Sequence, residues 1–304
     1  METNPLKQYF RQPAIYVRLP SQGKYYPPGS LVVSPNGEYP VLPMTTLDEI
    51  TYRTPDALFN GTAVPNVIQS CVPNIKSAWD MPSMDIDTVL VAIRIATYGH
   101  QLDITTNCPE CATEADYGVD LRNIMESMRA PDYAKSLNLG DLTIHFSPMN
   151  YKQINENSMQ QFEDQKMLQV MENSEATDQQ KMHQMSEMIK KITTVTTQAL
   201  SQNIAMVQTP TAQVTDQAHI SDWLANCDRN LFGRIRDHII ETKRQGELPP
   251  LNIQCGNCQH KYEQTFTLDM TSFFEAASWS WTVLRLLRLW TAWKRRLTQL
   301  EKML

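Results

Sequence analysis

Apolar and polar residues alternate near the start of the chain, which predicts β-structure there. The alternation is clearest over residues 15–19. Shorter strands are predicted over residues 31–33 and 39–42, on either side of the turn Pro35-Asn36-Gly37. We therefore expect a small N-terminal β-element.

Apolar residues then recur three and four positions apart, which is the spacing of a helix. The clearest helix covers residues 86–97, and Gly99 is placed to end it. Its predicted buried face carries Ile86, Val89, Leu90 and Ile93. Arg94 lies in the same helix, and we expect it to form a structural salt bridge with Asp87 or Glu49. A contact with a bound anion is the alternative.

Residues 150–206 are rich in Met, Gln, Asn and Thr, and we expect two helices there with a break near residues 173–178. An apolar stripe follows the second helix: Met182, Met185, Ile189, Ile192, Val195 and Ala199. Such a stripe either packs into a core or forms an adaptable groove for a partner. One further helix is predicted over residues 222–244, with Ser221 as its cap.

The last segment, residues 272–304, is predicted to be a long helix. Its apolar residues are spaced four and three apart, as in a coiled-coil seam: Leu286, Trp290, Trp293, Leu297, Leu300 and Leu304. We predict that this seam binds a partner. Two alternatives stay open, namely packing back on its own domain and lying on a membrane surface.

These elements predict an α+β protein, a helix-rich chain with a small β-subdomain. The sequence is divided into five segments: an N-terminal β-element (1–44), helices with the first cysteine turn and strands (45–149), a Met/Gln-rich helical insertion (150–246), the second cysteine turn (247–271) and a basic amphipathic helix (272–304).

Charge is distributed unevenly along the 304 residues. Residues 279–304 carry six Lys or Arg and one acid, a net charge of +5, which leaves −11 for the rest of a chain whose total is −6. An acidic body argues against nucleic-acid binding, and a basic tail favours contact with a partner. No run of about 18 apolar residues and no signal-peptide core is present, so we expect no membrane span and synthesis in a cytosol.

Four of the six cysteines form two C-x2-C pairs, Cys108/Cys111 and Cys255/Cys258. Similar sequences flank the pairs, since Leu-Asp-Ile precedes one, Leu-Asn-Ile precedes the other, and a Tyr follows each. Two strand–turn–strand units of this kind, which we call the first knuckle (102–121) and the second knuckle (251–268), offer the four thiolates of a zinc-ribbon-like site. We predict a structural zinc with four cysteine ligands that clips the knuckles together across 143 intervening residues.

Other uses of the four thiols stay open: reduced buried thiols, disulfides, or redox activity. A thioredoxin-like C-x-x-C should open a helix, whereas each pair here is followed by strand-like sequence. The Gly-rich phosphate loops, H-E-x-x-H and G-x-S-x-G are absent from the sequence, and we propose no catalytic residue. We therefore expect a protein that is not an enzyme and takes no small-molecule substrate.

Several ordered blocks resemble the T-even-phage type baseplate proteins of contractile-tailed bacteriophages. The N-terminal block is Tyr16-Val-Arg-Leu-Pro-Ser-Gln-Gly-Lys-Tyr-Tyr26. The blocks that follow cover residues 43–49, 54–61, 67–73 and 85–99, before the first knuckle. The resemblance covers about residues 14–122, and the C-terminal Trp/Arg helix lies outside it.

The resemblance implies a structural or assembly protein of the baseplate hub, made in the host cytoplasm and located in the virion tail. Its partners would be other hub proteins in an oligomeric assembly, with the tape-measure protein as a further candidate. Two alternatives come from other classes: a zinc-ribbon regulator that binds nucleic acid, and a thiol oxidoreductase.

Overall fold

The computed structural model describes residues 5–172, 178–265 and 273–274. Within these ranges, the side chains of residues 8, 168–172, 178–185 and 187–189 are left undescribed. Helices and strands both contribute substantially, which confirms the α+β class. The predicted seam lies outside the described residues: Leu286, Trp290, Trp293, Leu297, Leu300 and Leu304.

The N-terminal third of the chain folds as a β-hairpin on a group of helices. Its elements are β1 (Ile15–Arg18), β2 (Glu38–Val41), α1 (Thr46–Arg53), α2 (Pro55–Phe59), α3 (Ala63–Cys71) and α4 (Ser83–Tyr98). Strands β1 and β2 lie where the sequence predicts strands, and they pair antiparallel. The predicted strand at 31–33 is reduced to one bridge, between Leu31 and Ile75.

Helix α4 is the centre of this region, which we call the helical core. Residues on all sides of the helix are buried, including Leu90 and Ile93, and they contact buried residues of α1, α3 and the hairpin. Gly99 follows with φ +88, a left-handed conformation that disfavours other residues, and this ends the helix as predicted.

Asp85 anchors the N-terminal loop to α4. Its buried carboxylate accepts hydrogen bonds from the backbone N–H and hydroxyl of Ser21 and from the Tyr26 hydroxyl. Burial raises the pKa of Asp85 to about 6, although these three hydrogen bonds act in the opposite direction. Ser21 and Tyr26 belong to the first block of the resemblance, so that block serves to fix the loop on the core.

The rest of the chain adds two cysteine hairpins and a second core. The first hairpin is β3 (Gln101–Asn107) and β4 (Glu114–Asp120), followed by α5 (Leu121–Ser127). A four-stranded sheet, in the order β5-β6-β7-β8, then forms from β5 (Leu137–Leu139), β6 (Leu142–Phe146), β7 (Ile204–Gln208) and β8 (Gln213–Val214). The remaining elements are α6 (Tyr151–Glu172), α7 (Asp178–Ser201), α8 (Gln217–Asn226), α9 (Arg229–Arg244), β9 (Leu251–Gln254) and β10 (Lys261–Gln264).

The predicted pair of helices in the Met/Gln-rich segment is confirmed as α6 and α7. Together they form a long connection between the neighbouring antiparallel strands β6 and β7. The sequence analysis did not predict β7 and β8, so the sheet draws on both sides of the predicted boundary at residue 150. Helices α8 and α9 bury Ile220, Leu224, Ile235 and Ile239 against this sheet, which makes the second core.

The prediction of one continuous helix over residues 222–244 is wrong, because the helix is interrupted at Cys227 and Asp228. The Asp228 carboxylate accepts from the backbone N–H groups of Asn230 and Leu231, so it caps a new helix. The first of the two helices starts earlier than predicted, with Asp216 as its cap.

The predicted salt bridge of Arg94 is also wrong. Arg94 is only 5% exposed, and its Nε and Nη1 have no hydrogen-bond partner among the described residues. Its guanidinium lies 5.4 Å from the ring centroids of both Tyr98 and Phe273. Asp87 is two helical turns away, about 10 Å, and Glu49 accepts a hydrogen bond from Tyr98 instead.

Within the described ranges, none of the helices combines the length and apolar character needed to cross a bilayer.

Candidate metal centre

Two antiparallel hairpins carry the predicted cysteine ligands. In the first, β3 and β4 pair from Gln101↔Asp120 to Asn107↔Glu114. In the second, β9 and β10 pair from Leu251↔Gln264 to Gln254↔Lys261. The hairpins form separate two-stranded sheets, so neither holds the other through a β-ladder.

The two cysteine turns have the same backbone conformation. In the first knuckle, the N–H of Cys108 donates to the carbonyl of Thr113 at 3.0 Å, and the N–H of Ala112 donates to Cys108 at 2.9 Å. In the second, the N–H of Cys255 donates to the carbonyl of His260 at 2.9 Å, and the N–H of Gln259 donates to the carbonyl of Cys255 at 3.0 Å. The matched flanks seen in the sequence therefore correspond to matched turns.

A residue with positive φ follows the second cysteine of each turn. Ala112 has φ 53 and Gln259 has φ 61, although neither is a glycine. Left-handed backbone costs a non-glycine residue about 1 kcal/mol or more. Its presence at both equivalent positions indicates that the tight turn is required to present the sulfurs.

The turns bring all four predicted sulfurs into one cluster. The sulfurs of Cys108, Cys111, Cys255 and Cys258 lie within 4.8 Å of one another. Two pairs across the hairpins are 3.6 Å apart, Cys108 with Cys258 and Cys111 with Cys255. A tetrahedral zinc with Zn–S bonds of ~2.3 Å has S···S edges of about 3.8 Å, so the cluster has the size of a metal site with four cysteine ligands.

The cluster is sheltered on one side. Cys108 and Cys255, the first cysteine of each pair, are buried, Cys111 is half-buried and Cys258 is exposed. Buried thiolates without a cation are costly, whereas a metal ion would satisfy all four sulfurs together.

Hydrogen bonds favour the thiolate form of two of these cysteines. The hydroxyl and backbone N–H of Thr113 lower the pKa of Cys111 to about 6. Backbone N–H groups of Cys258 and Asn257 lower the pKa of Cys255. At Cys258 the backbone N–H of His260 also lowers the pKa, but desolvation and the neighbouring sulfurs outweigh it and raise the pKa of Cys258 to about 12. Crowded sulfurs resist ionising together, which a bound cation would reverse.

Polar contacts between the hairpins surround the cluster, and the sequence analysis missed them. Thr113 Oγ1 lies 3.3 Å from the Cys111 sulfur and accepts from Asn257 Nδ2 at 3.1 Å. Thr106 Oγ1 donates to Gln264 Oε1 at 2.9 Å. Thr113 and Asn257 were detectable only as polar residues within two positions of a cysteine, a weak signal.

The other two cysteines lie outside the cluster. Cys71 is fully buried in the helical core. Burial raises its pKa to about 12 although Arg11 lies against it. Cys227 is half-buried, at the break between α8 and α9.

A groove runs between α6 and α7, with a volume of about 460 Å³. Its apolar wall includes Met149, Ile154, Ile192, Val195 and Leu200, and its polar side includes Asp164. Three members of the predicted stripe therefore line the groove: Ile192, Val195 and Ala199. The side chains of Met182, Met185 and Ile189 are outside the described part.

The fold and the cluster define a class of protein: an α+β chain whose two cysteine hairpins close on a candidate metal centre. A family model described as T4 bacteriophage base plate protein matches residues 35–275, more than three quarters of the chain. The chain belongs to this family. No curated protein and no solved structure matches it.

The family match confirms the resemblance and extends it. The resemblance ended near residue 122, whereas the match continues through α6 to α9 and includes the second knuckle. Membership implies a place in the phage tail baseplate and assembly with other phage proteins.

Proposed function

We propose that this protein is a structural or assembly component of the hub of a contractile-tail baseplate, where it acts by binding neighbouring hub proteins. The observation that carries the proposal is the family match, which spans both knuckles, the second core and the part of the helical core that follows residue 34. The two cores and the cysteine hairpins give a scaffold on which binding surfaces can be held.

The proposal includes a structural zinc held by Cys108, Cys111, Cys255 and Cys258. Four thiolates would fill a tetrahedral coordination shell, so no position would be left for a water or a substrate. The ion would join hairpins that have no common β-ladder, and it would therefore close the chain across residues 112–254. A site of this kind supports a protein that is not an enzyme.

The groove between α6 and α7 is our candidate site for a helical segment of the tape-measure protein. An apolar wall with a polar rim suits an amphipathic helix. Ile192 is 40% exposed at this groove, so part of the apolar wall is open to a partner. The C-terminal seam from Leu286 to Leu304 is the second candidate contact.

Nucleic acid is not expected to bind the first knuckle. The exposed positions of β3 and β4 include Asp103, Glu114 and Asp116, and no Lys or Arg lies in either strand. Phosphate binding needs the opposite charge. Salt-dependent retention of the protein on DNA would favour the regulator alternative.

The function can be tested in an infected cell with the gene for this chain deleted. We expect tails without a complete hub, and restoration when the chain is supplied from a plasmid. Mass spectrometry of purified virions then separates a hub component, which is present, from an assembly factor, which is absent. Normal, infectious particles without the chain would contradict the proposal.

The groove has its own test. Ile192→Asp should weaken capture of purified tape-measure protein at least tenfold, because it places a charge in the apolar wall. Ile240→Asp is the matched control, since Ile240 is 52% exposed on α9 and is not a groove residue. Equal capture by both variants and the wild type would exclude the groove as the contact.

A further inference from the structure

We propose that Thr113 and Asn257 form a hydrogen-bonded relay that positions the Cys111 sulfur and thereby increases the metal affinity of the site. The inference rests on the proposed metal centre and assigns its two positioning residues. The relay crosses from the second knuckle to the first, over 144 positions of sequence.

The relay has a defined direction in the metal-bound form. A metal-bound thiolate has no proton, so the Thr113 hydroxyl must donate to the Cys111 sulfur, 3.3 Å away. The same oxygen accepts from the Asn257 amide at 3.1 Å. Each donor polarises the next one, which directs the hydroxyl proton toward the sulfur.

The residues at the equivalent positions of the opposite knuckles do not form a second relay. His260 follows Cys258 as Thr113 follows Cys111, and Glu110 follows Cys108 as Asn257 follows Cys255. The ring of His260 stacks on Tyr262, with centroids 6.3 Å apart, and a carboxylate such as Glu110 has no N–H to donate. The relay is therefore not a consequence of the knuckle turn but of these two side chains.

Residues outside the metal ligands commonly change metal affinity 10- to 100-fold, because they orient the ligand and stabilise its anionic form. Thr113 contributes both effects to Cys111, and Asn257 holds the Thr113 hydroxyl in one orientation. Thr113→Val removes the hydroxyl at nearly constant shape, and Thr113→Ser keeps it.

The chain offers a matched control in Thr106. Its hydroxyl also donates across the two hairpins, to Gln264, but within the described ranges it forms no hydrogen bond with a sulfur. Thr106→Val therefore deletes the same chemical group and a similar cross-hairpin bond. Comparison of the two Thr→Val variants separates positioning of the sulfur from general support of the hairpins.

The experiment is anaerobic titration of the full chain with Co²⁺, read by the sulfur-to-cobalt charge-transfer band, with Zn²⁺ affinity measured by chelator competition. We expect Thr113→Val to bind 10- to 100-fold more weakly with a shifted band. Thr113→Ser and Thr106→Val should stay within about threefold of wild type, and Asn257→Ala should be intermediate.

The outcomes distinguish the two levels of the proposal. A Thr113→Val affinity within threefold of wild type, or an equal loss in Thr106→Val, would overturn the relay while leaving the metal centre intact. A wild-type chain that gives no four-sulfur tetrahedral cobalt spectrum would overturn the metal centre and the relay with it.

Discussion

The helical core and the pair of knuckles are held together by different forces. Around α4, long runs of apolar side chains are buried, and much of the core comes from a continuous stretch between residues 17 and 93. In the knuckles, exposed and half-buried positions alternate along β3 and β4, and few described residues are buried: Cys108 and Leu121 in the first knuckle, Ile253 and Cys255 in the second. One region is stabilised by apolar burial, and the other, on our account, by a metal.

This difference assigns separate roles to the two regions. Apolar burial in the helical core supplies most of its folding stability, whereas the proposed metal joins the two hairpins. The helical core gains free energy from many small apolar contacts that tolerate single changes. The knuckles concentrate their free energy in four sulfur ligands, so loss of any one should have a large and local effect.

The largest effect is expected from the double variant Cys108→Ser/Cys255→Ser. Structural zinc contributes roughly 10 kcal/mol or more in small zinc domains, and two hydroxyls cannot replace the thiolates. We expect the hairpins to separate and residues 246–265 to become sensitive to protease, while circular dichroism retains most of the helical signal.

Cys227→Ser is the control for this variant, because Cys227 is a half-buried thiol outside the cluster. It should leave protease resistance unchanged. Hairpins that stay protected in the double variant would mean that other contacts, and not a metal, hold the knuckles.

A smaller effect is expected in the helical core from Ile93→Ala. Ile93 is fully buried in α4, so its truncation should cost about 2–5 kcal/mol of unfolding free energy. Denaturant unfolding measures this loss, and metal content should not change. Ile50→Ala, at a 60% exposed position on α1, should cost less than about 0.5 kcal/mol. Loss of metal in Ile93→Ala would show that the two regions are coupled.

The Asp85 carboxyl predicts a pH dependence of the helical core. Its pKa is raised from 3.8 to about 6, so the folded chain keeps a proton that the unfolded chain has released. Stability from this group is complete below pH ~4 and is lost as the pH rises to about 6, a total of roughly 3 kcal/mol.

The test is the unfolding free energy of wild type and Asp85→Asn between pH 4.5 and 7.5. The difference between the two proteins should change by roughly 2 kcal/mol, with wild type losing more stability as pH rises. Loss of metal at acidic pH lowers the unfolding free energy of both proteins, so its effect cancels in the difference between them. A constant difference across this range would refute the assignment.

The smallest effect, and one of opposite sign, is expected from Arg94→Met. Two nitrogens of the buried guanidinium, Nε and Nη1, have no hydrogen-bond partner among the described residues. We expect the free-energy cost of burying them to exceed the stabilisation from the cation–π contacts with Tyr98 and Phe273. We expect an increase in stability of about 1 kcal/mol in thermal unfolding. A decrease would mean that the attractive contacts of the guanidinium, including the charge of the nearby Asp103 carboxylate, outweigh the cost of its burial.

The sequence predicted well the elements whose signals are local. Gly99 ends α4, and the matched flanks of the cysteine pairs correspond to matched hairpins, because each depends on a few adjacent residues. Even the assembly of four cysteines from distant parts of the chain was predictable, since two C-x2-C pairs with matched flanks are typical of the turns that offer four thiolates to one metal.

Features that depend on tertiary contacts were not predictable. The break at Asp228 interrupts a pattern that is apolar on one face throughout, and only the capping geometry shows where the helix restarts. Arg94 looked like half of an ion pair, but which side chains surround it depends on how Phe273 returns to α4. Asn257 and Thr113 meet only because the knuckles close on each other.

The most direct test of the account is the metal content of the purified wild-type chain, measured by native mass spectrometry and elemental analysis. We predict one zinc per chain, retained under non-denaturing conditions and released when the chain is unfolded in acid. A metal-free chain in which the thiols of Cys108, Cys111, Cys255 and Cys258 all titrate freely would contradict the metal closure on which the comparison depends.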